Sequence, residues 1–261
     1  MPPFIIDFPS RVHKSFIHSE HASKSILEID FLVHLIWDVI LTNSFPLSSF
    51  VLLAPAVSTT SLNAADRRVV VTGMGIVSCL GNTLDDVKKS LHEAESGITF
   101  QDDFAELGIK STIAGVPDLT EADFKELIPK AALRFMGQNA RFAYIALDRA
   151  IQDSGLKPEE YEENSRVAAI IGQGGTSIPD IVETCDAVKG QAKRWKNKVG
   201  PFRVTRAMGS TCSAVLATNF KVQGPSFSIS SACSTGAHCI GTGFEQIKLD
   251  KCDVAFCGAG K

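Results

Sequence analysis

The residues best equipped for chemistry stand together at Ser230-Ser231-Ala232-Cys233-Ser234-Thr235-Gly236, directly after the apolar alternation of Phe227 and Ile229. The pattern predicts a strand, a tight turn and a helix that begins at Cys233. A cysteine placed there meets the unpaired amide N–H groups of the first helical turn, at the positive end of the dipole, which favours the thiolate. Its neighbours Ala232, Ser234, Gly236 and Ala237 are small enough to leave the sulfur an open face on which an acyl group fits. The alternative, a cysteine acting as a small buried hydrophobe, stays open on these residues alone. His238 and Cys239 fall on other faces of the helix, so a general base has to come from elsewhere.

The elements around this turn have to position it. The helix continues through Cys239, Ile240, Gly241, Thr242, Gly243, Phe244 and Ile247. Its glycines each cost roughly 1 kcal/mol relative to alanine, so packing has to hold it together. With no charged face in its first turns, it is expected inside the molecule, pressed between other elements. Upstream, Val69-Val70-Val71 reads as a buried strand that ends at Gly73 and Gly75. Asn82 or Thr83 can cap a following helix that carries Asp85 and Asp86 early and Lys88 and Lys89 late. A dinucleotide-binding turn would need a third glycine where Ser78 stands, which leaves that reading weak. Residues 97–129 read as irregular, 131–154 as a helix capped by Gly155, Val167–Ile171 as a strand ending in Gly172, Gly174 and Gly175, and a further helix starts near Pro179. Residues 202–218 read as another small-residue helix, with strands at Phe227–Ser230 and Val254–Cys257. The alternation predicts an α/β fold with a parallel sheet.

The chain has 261 residues, 44% of them hydrophobic, and a formal charge of −3, which suits one large or two small soluble domains and gives no global attraction for nucleic acid. Its seven cysteines follow no paired spacing, so thiols in a reducing compartment are expected, with no metal and no cofactor. Residues 1–66 differ in character from the remainder. They read as an atypical extension, either disordered or non-native, or a targeting segment, or an anchor. Within them Val39–Val57 is uncharged but holds Pro46 and Pro55, so no stable membrane insertion is expected. Lys193, Arg194, Trp195, Lys196 and Lys198 form a basic run, either a solvated loop or a patch for an acidic protein or phosphate group.

Three stretches together resemble the beta-ketoacyl-[acyl-carrier-protein] synthases, closest to the bacterial type I enzyme. They are Val69–Gly75 with Ile76-Val77-Ser78, Gly200-Pro201-Phe202-Arg203-Val204-Thr205, and above all Ser230-Ser231-Ala232-Cys233-Ser234-Thr235-Gly236-Ala237-His238-Cys239-Ile240-Gly241. The resemblance covers residues 67–261 and implies the amino-terminal half of a thiolase-like, five-layered αβαβα fold with the helix after Cys233 in the central layer. It implies an acyltransferase of fatty-acid synthesis in which Cys233 takes an acyl group from an acyl-carrier protein, its own N–H forming part of the oxyanion hole, before a decarboxylative condensation with malonyl-carrier protein. Gly175, Thr176 and Met208 would line the acyl pocket, Met208 reaching across a homodimer. Lys130, Arg134 and Arg194 would dock the carrier protein. Family members carry two histidines, a lysine and a glycine-rich turn in their second half, and none of the six histidines here stands in a matching motif. The expectation is therefore an incomplete fragment, with a non-catalytic carrier-binding subunit as the alternative. A cytoplasmic setting is expected, or a mitochondrion or plastid if residues 1–66 are a targeting segment.

Overall fold

The computed structural model describes residues 67–190 and 199–260, together with the backbone of residues 4–7. The remainder of residues 1–66, and the basic run with Arg194, lie outside the described residues.

A five-stranded sheet carries the fold. Its strands are β1 (Phe4–Asp7), β2 (Val70–Met74), β5 (Val167–Gln173), β6 (Ser226–Phe227) and β7 (Val254–Gly260), and a separate hairpin pairs β3 (Ile98–Phe100) with β4 (Ile113–Gly115). The order in the large sheet is β2-β1-β7-β5-β6. The centre is parallel as expected: β5 pairs with β7 from Val167↔Val254 to Gln173↔Gly260, and with β6 on its other edge. The flank is not, because β1 runs antiparallel to both β2 and β7, which makes the sheet mixed. Setting residues 1–66 apart from the globular part did not anticipate that Phe4–Asp7 enters the sheet.

Period-two alternation along β5 and β7 builds the layers. Val167, Ile171, Val254 and Phe256 join one apolar cluster, in which the helix Gln138–Ser154 places Ala143, Leu147 and Ala150. Ala168, Ile170, Ala255 and Cys257 join the other, with Cys239 and Ile247 from the helix Thr235–Lys248. Helices thus cover both faces of the sheet. Gly73 and Gly75 let β2 lie on the first helix: a Cβ there would fall 2.3 Å from the Ala150 carbonyl oxygen and 1.8 Å from that of Ala146.

Several boundaries differ from the sequence reading. The predicted helix over 131–154 is two, Lys130–Leu133 and Gln138–Ser154, divided before Gly137, whose Cβ would meet Ser177. Gly155 caps the second in the left-handed region, as expected. Residues 202–218 likewise divide into Arg203–Ala207 and Thr211–Asn219, because Met208 is extended and its carbonyl accepts from Thr211 Oγ1 at 2.8 Å. Residues 97–129 hold the hairpin and the short helices Asp102–Glu106 and Glu121–Leu127. The helix near Pro179 runs Ile178–Gly190.

The central helix also departs from expectation. It buries only one face, through Thr235, Gly236, Cys239, Gly243 and Ile247, while Ala237, His238, Gly241 and Phe244 are exposed. Its buried face fits tightly: a Cβ on Gly243 would lie 2.1 Å from Cys257 Sγ.

Candidate functional site

Cys233 stands on a strained elbow. The strand before it ends at Phe227, and the α-helix starts at Thr235 rather than at Cys233, which occupies a single 3₁₀ turn, Ala232–Ser234. The preceding residue, Ala232, has φ +47°, a left-handed conformation that costs a non-glycine residue about 1–2 kcal/mol. Something has to hold it. Thr235, 1% exposed, accepts the Ser231 N–H at 2.9 Å and donates its hydroxyl to the Ala232 carbonyl at 2.8 Å. The Ser234 N–H closes the turn onto the Ser231 carbonyl at 3.0 Å. Ser231 Oγ also contacts His238 Nδ1 at 2.7 Å, which ties the exposed histidine to the elbow.

The end of β5 supports this turn from below. A Cβ on Gly172 would fall 2.0 Å from the Ile229 carbonyl oxygen and 2.5 Å from the Thr235 methyl, so only glycine permits the approach. A Cβ on Gly174 would sit 3.0 Å from the Ala232 oxygen, which places the Gly174–Thr176 turn beside the elbow. Gln173, between those glycines, donates to the Met208 carbonyl at 2.7 Å and accepts from Cys212 Sγ at 3.4 Å. One buried amide thus ties the end of β5 to the Met208 turn. Met208 also lines an apolar cavity of about 350 Å³ with Ile181, Val204 and Ala207.

The seven cysteines are all thiols, and they divide by environment. Burial pushes Cys212 up to about 12 and Cys252 up to about 11, and raises Cys239 and Cys257 as well. These sulfurs stay protonated at neutral pH. Cys233 and Cys185 are exposed and Cys79 is partly so, which confines thiol chemistry with solutes to those positions. Among the described residues no group of three or more His, Cys, Asp or Glu could hold a metal ion.

Lys130 and Arg134 lie close together. They line a recess of about 490 Å³ with Lys125, Arg141, Arg206 and Leu133. Arg134 stacks over Phe202 at 5.6 Å, and Arg206 Nε donates to the Arg134 carbonyl at 2.9 Å. Arg206 also reaches Asp180 at 3.4 Å, and Arg141 pairs with Glu121 at 2.6 Å. Lys125, Arg141 and Arg206 escaped the sequence reading because they sit on three separate helices. Gln173 and Thr235 escaped it too, although a polar residue closing an apolar strand and a threonine two positions after the cysteine were visible signals.

A family model described as the beta-ketoacyl synthase N-terminal domain matches residues 66–261. The chain is 45% identical over 195 residues to 3-oxoacyl-[acyl-carrier-protein] synthase 1 of Escherichia coli, covering 75% of this chain and 47% of that protein. It is 31% identical over 222 residues to the mitochondrial 3-oxoacyl-[acyl-carrier-protein] synthase of Arabidopsis thaliana, covering 77% of this chain and 46% of that one. The chain thus spans about half the length of the curated relatives it matches. Among solved structures, the ishigamide ketosynthase/chain length factor superposes with a TM-score of 0.62 at 23% identity, over 72% of this chain and 46% of that one. A type II polyketide ketosynthase solved with its acyl-carrier protein superposes with a TM-score of 0.56 at 17% identity, over 72% of this chain and 48% of that one. Both show the thiolase-like α/β fold.

Proposed function

The chain belongs to the beta-ketoacyl synthase family through its amino-terminal domain, and from that premise we propose that Cys233 is the nucleophile of a 3-oxoacyl-[acyl-carrier-protein] synthase of fatty-acid synthesis. The observation that carries this is the elbow itself, a left-handed Ala232 clamped by Thr235 with Cys233 exposed beside it. The Cys233 thiolate attacks the carbonyl carbon of an acyl thioester, and the carrier-protein thiolate leaves and takes up a proton. Amide groups at the helix start, that of Cys233 included, stabilise the developing oxyanion. Malonyl-carrier protein then loses carbon dioxide, and the carbanion so formed attacks the Cys233 thioester and releases the sulfur.

The turn Gly174–Thr176 and Met208 border the space for the acyl chain, and homodimer formation brings Met208 to the partner's pocket. The recess of Lys125, Lys130 and Arg134 receives the acidic carrier protein, with Arg194 extending that basic surface. Decarboxylation relies on groups from the second half of a full-length relative, which packs on the exposed Ala237, Gly241 and Phe244 face of the central helix. The bacterial relatives support a cytoplasmic setting, and none of the helices among the described residues is long and apolar enough to cross a membrane.

The basic recess of Lys125, Lys130 and Arg134 supports a second reading, a non-catalytic subunit that binds the carrier protein without turnover. Incubating the chain with an acylated carrier protein and mapping the acyl group by peptide mass spectrometry tests the proposal. Acylation of Cys233 that Cys233→Ala abolishes is the expected result. Carrier binding with no acyl transfer supports the second reading, and neither binding nor transfer contradicts both.

A further inference from the structure

Ser231 is the N-cap of the turn that carries Cys233, and its hydroxyl makes no cap bond there. An N-cap serine ordinarily accepts from the amide two or three positions on, which here belongs to Cys233 or Ser234. The Ser234 amide already donates to the Ser231 carbonyl at 3.0 Å. The Cys233 amide is therefore the one a capping hydroxyl would take. It is also the amide assigned above to the developing oxyanion, so a cap at that position would compete with the carbonyl oxygen of the substrate.

His238 holds the hydroxyl elsewhere. Its Nδ1 lies 2.7 Å from Ser231 Oγ. The hydroxyl donates when Nδ1 is unprotonated and accepts when Nδ1 carries a proton, so the pair can bond in either state of the ring. The helix Thr235–Lys248 sets His238 on its exposed face, one turn past Ser234, from which the ring reaches back to the elbow. The backbone of Ser231 is fixed separately, its N–H by Thr235 Oγ1 and its carbonyl by the Ser234 amide. The side chain can thus be released without releasing the turn.

We propose that His238 is a positioning residue: it keeps the Ser231 hydroxyl off the Cys233 amide, so that the hydroxyl does not compete with the acyl oxygen. This rests on the reading of Cys233 as the nucleophile.

Two rates on the full chain test it, both read at Cys233 by peptide mass spectrometry. One is acylation by the octanoyl thioester of N-acetylcysteamine, which builds an oxyanion, and the other is alkylation by iodoacetamide, which builds none. The ratio of acylation to alkylation is expected to fall about five- to tenfold in His238→Ala, the cost of breaking one ordinary hydrogen bond to reach the amide. Adding Ser231→Ala is expected to raise the ratio again by a similar factor, because no hydroxyl remains to cap the turn. A contact that merely braced the elbow predicts a double variant no faster than His238→Ala. Should His238→Ala not fold, Ser231→Ala alone decides: a ratio at or above that of the unaltered chain supports the proposal, and a lower one overturns it. Acylation of Cys233 that is insensitive to His238→Ala, or that Ser231→Ala does not restore, would overturn the proposal and leave the nucleophile in place. No acylation of Cys233 in the unaltered chain would overturn both.

Discussion

Thr235→Val removes a hydroxyl from the elbow while keeping the shape of the side chain. The hydroxyl accepts from Ser231 N–H and donates to the Ala232 carbonyl, at 2.9 and 2.8 Å. Ser231 is half-buried and Ala232 exposed, so water can replace each lost partner. The net value of about 1 kcal/mol per hydrogen bond therefore applies rather than the larger penalty for orphaned buried groups. Two such bonds sum to about 2 kcal/mol, which matches the roughly 1–2 kcal/mol cost of a left-handed alanine. Without them nothing offsets that cost, and Ala232 relaxes. At about 2–4 °C per kcal/mol for a domain of this size, Tm falls by about 4–8 °C. Thr235→Ser keeps the hydroxyl and loses one methyl, worth about 0.8 kcal/mol. Thermal melting of the three proteins, with the iodoacetamide labelling rate of Cys233 read alongside, separates the terms. Equal Tm and equal labelling of the Val and Ser variants would refute the clamp.

Other outcomes follow from the same geometry. Gly243→Ala gains about 1 kcal/mol of helix propensity but forces a Cβ to 2.1 Å from Cys257 Sγ, an overpacking cost of typically 1–3 kcal/mol. Its net destabilisation in a urea melt should shrink when Cys257→Ala is added. Buried thiols make the fold sensitive to base: Cys212 and Cys252 are neutral in the folded state up to about 12 and about 11, whereas an unfolded cysteine ionises near 8.5. Their contribution is complete below about 8.5 and is lost as pH rises through the folded values. Tm should hold to about pH 8.5 and then decline, less steeply in Cys212→Ala; a flat profile to pH 10.5 would contradict it (about two units above the unfolded value). Lys130→Glu with Arg134→Glu should slow association with an acidic carrier protein by about tenfold at low salt, measured by stopped flow, with the difference shrinking as salt is added.

How much was legible depended on where the determining contacts lie. The strand at Val167 and the cap at Gly155 are local patterns, and a run such as Val-Ala-Ala-Ile-Ile fits little besides a buried strand. The elbow was legible as a turn, but its holding residue was not, because the role of Thr235 depends on the φ of Ala232. Charge and polarity alone placed the central helix between two layers. Its Ala237, Gly241 and Phe244 face shows that a lack of charge marks a surface suited to packing without saying that this chain covers it. The antiparallel β1 was out of reach, since its pairing spans more than 60 residues to β2 and some 250 to β7 and four residues between prolines carry no periodic signal of their own. The recess joins Lys130 and Arg134 to cations from separate helices, which no local pattern connects.

The central claim is that the clamped elbow makes Cys233 chemically privileged among the accessible thiols. Site-resolved alkylation by limiting iodoacetamide at neutral pH measures this directly, with the exposed Cys185 as an internal reference on the same chain. Cys233 should be modified well ahead of Cys185, with Cys212, Cys239, Cys252 and Cys257 untouched. Equal modification of Cys233 and Cys185 would contradict the account.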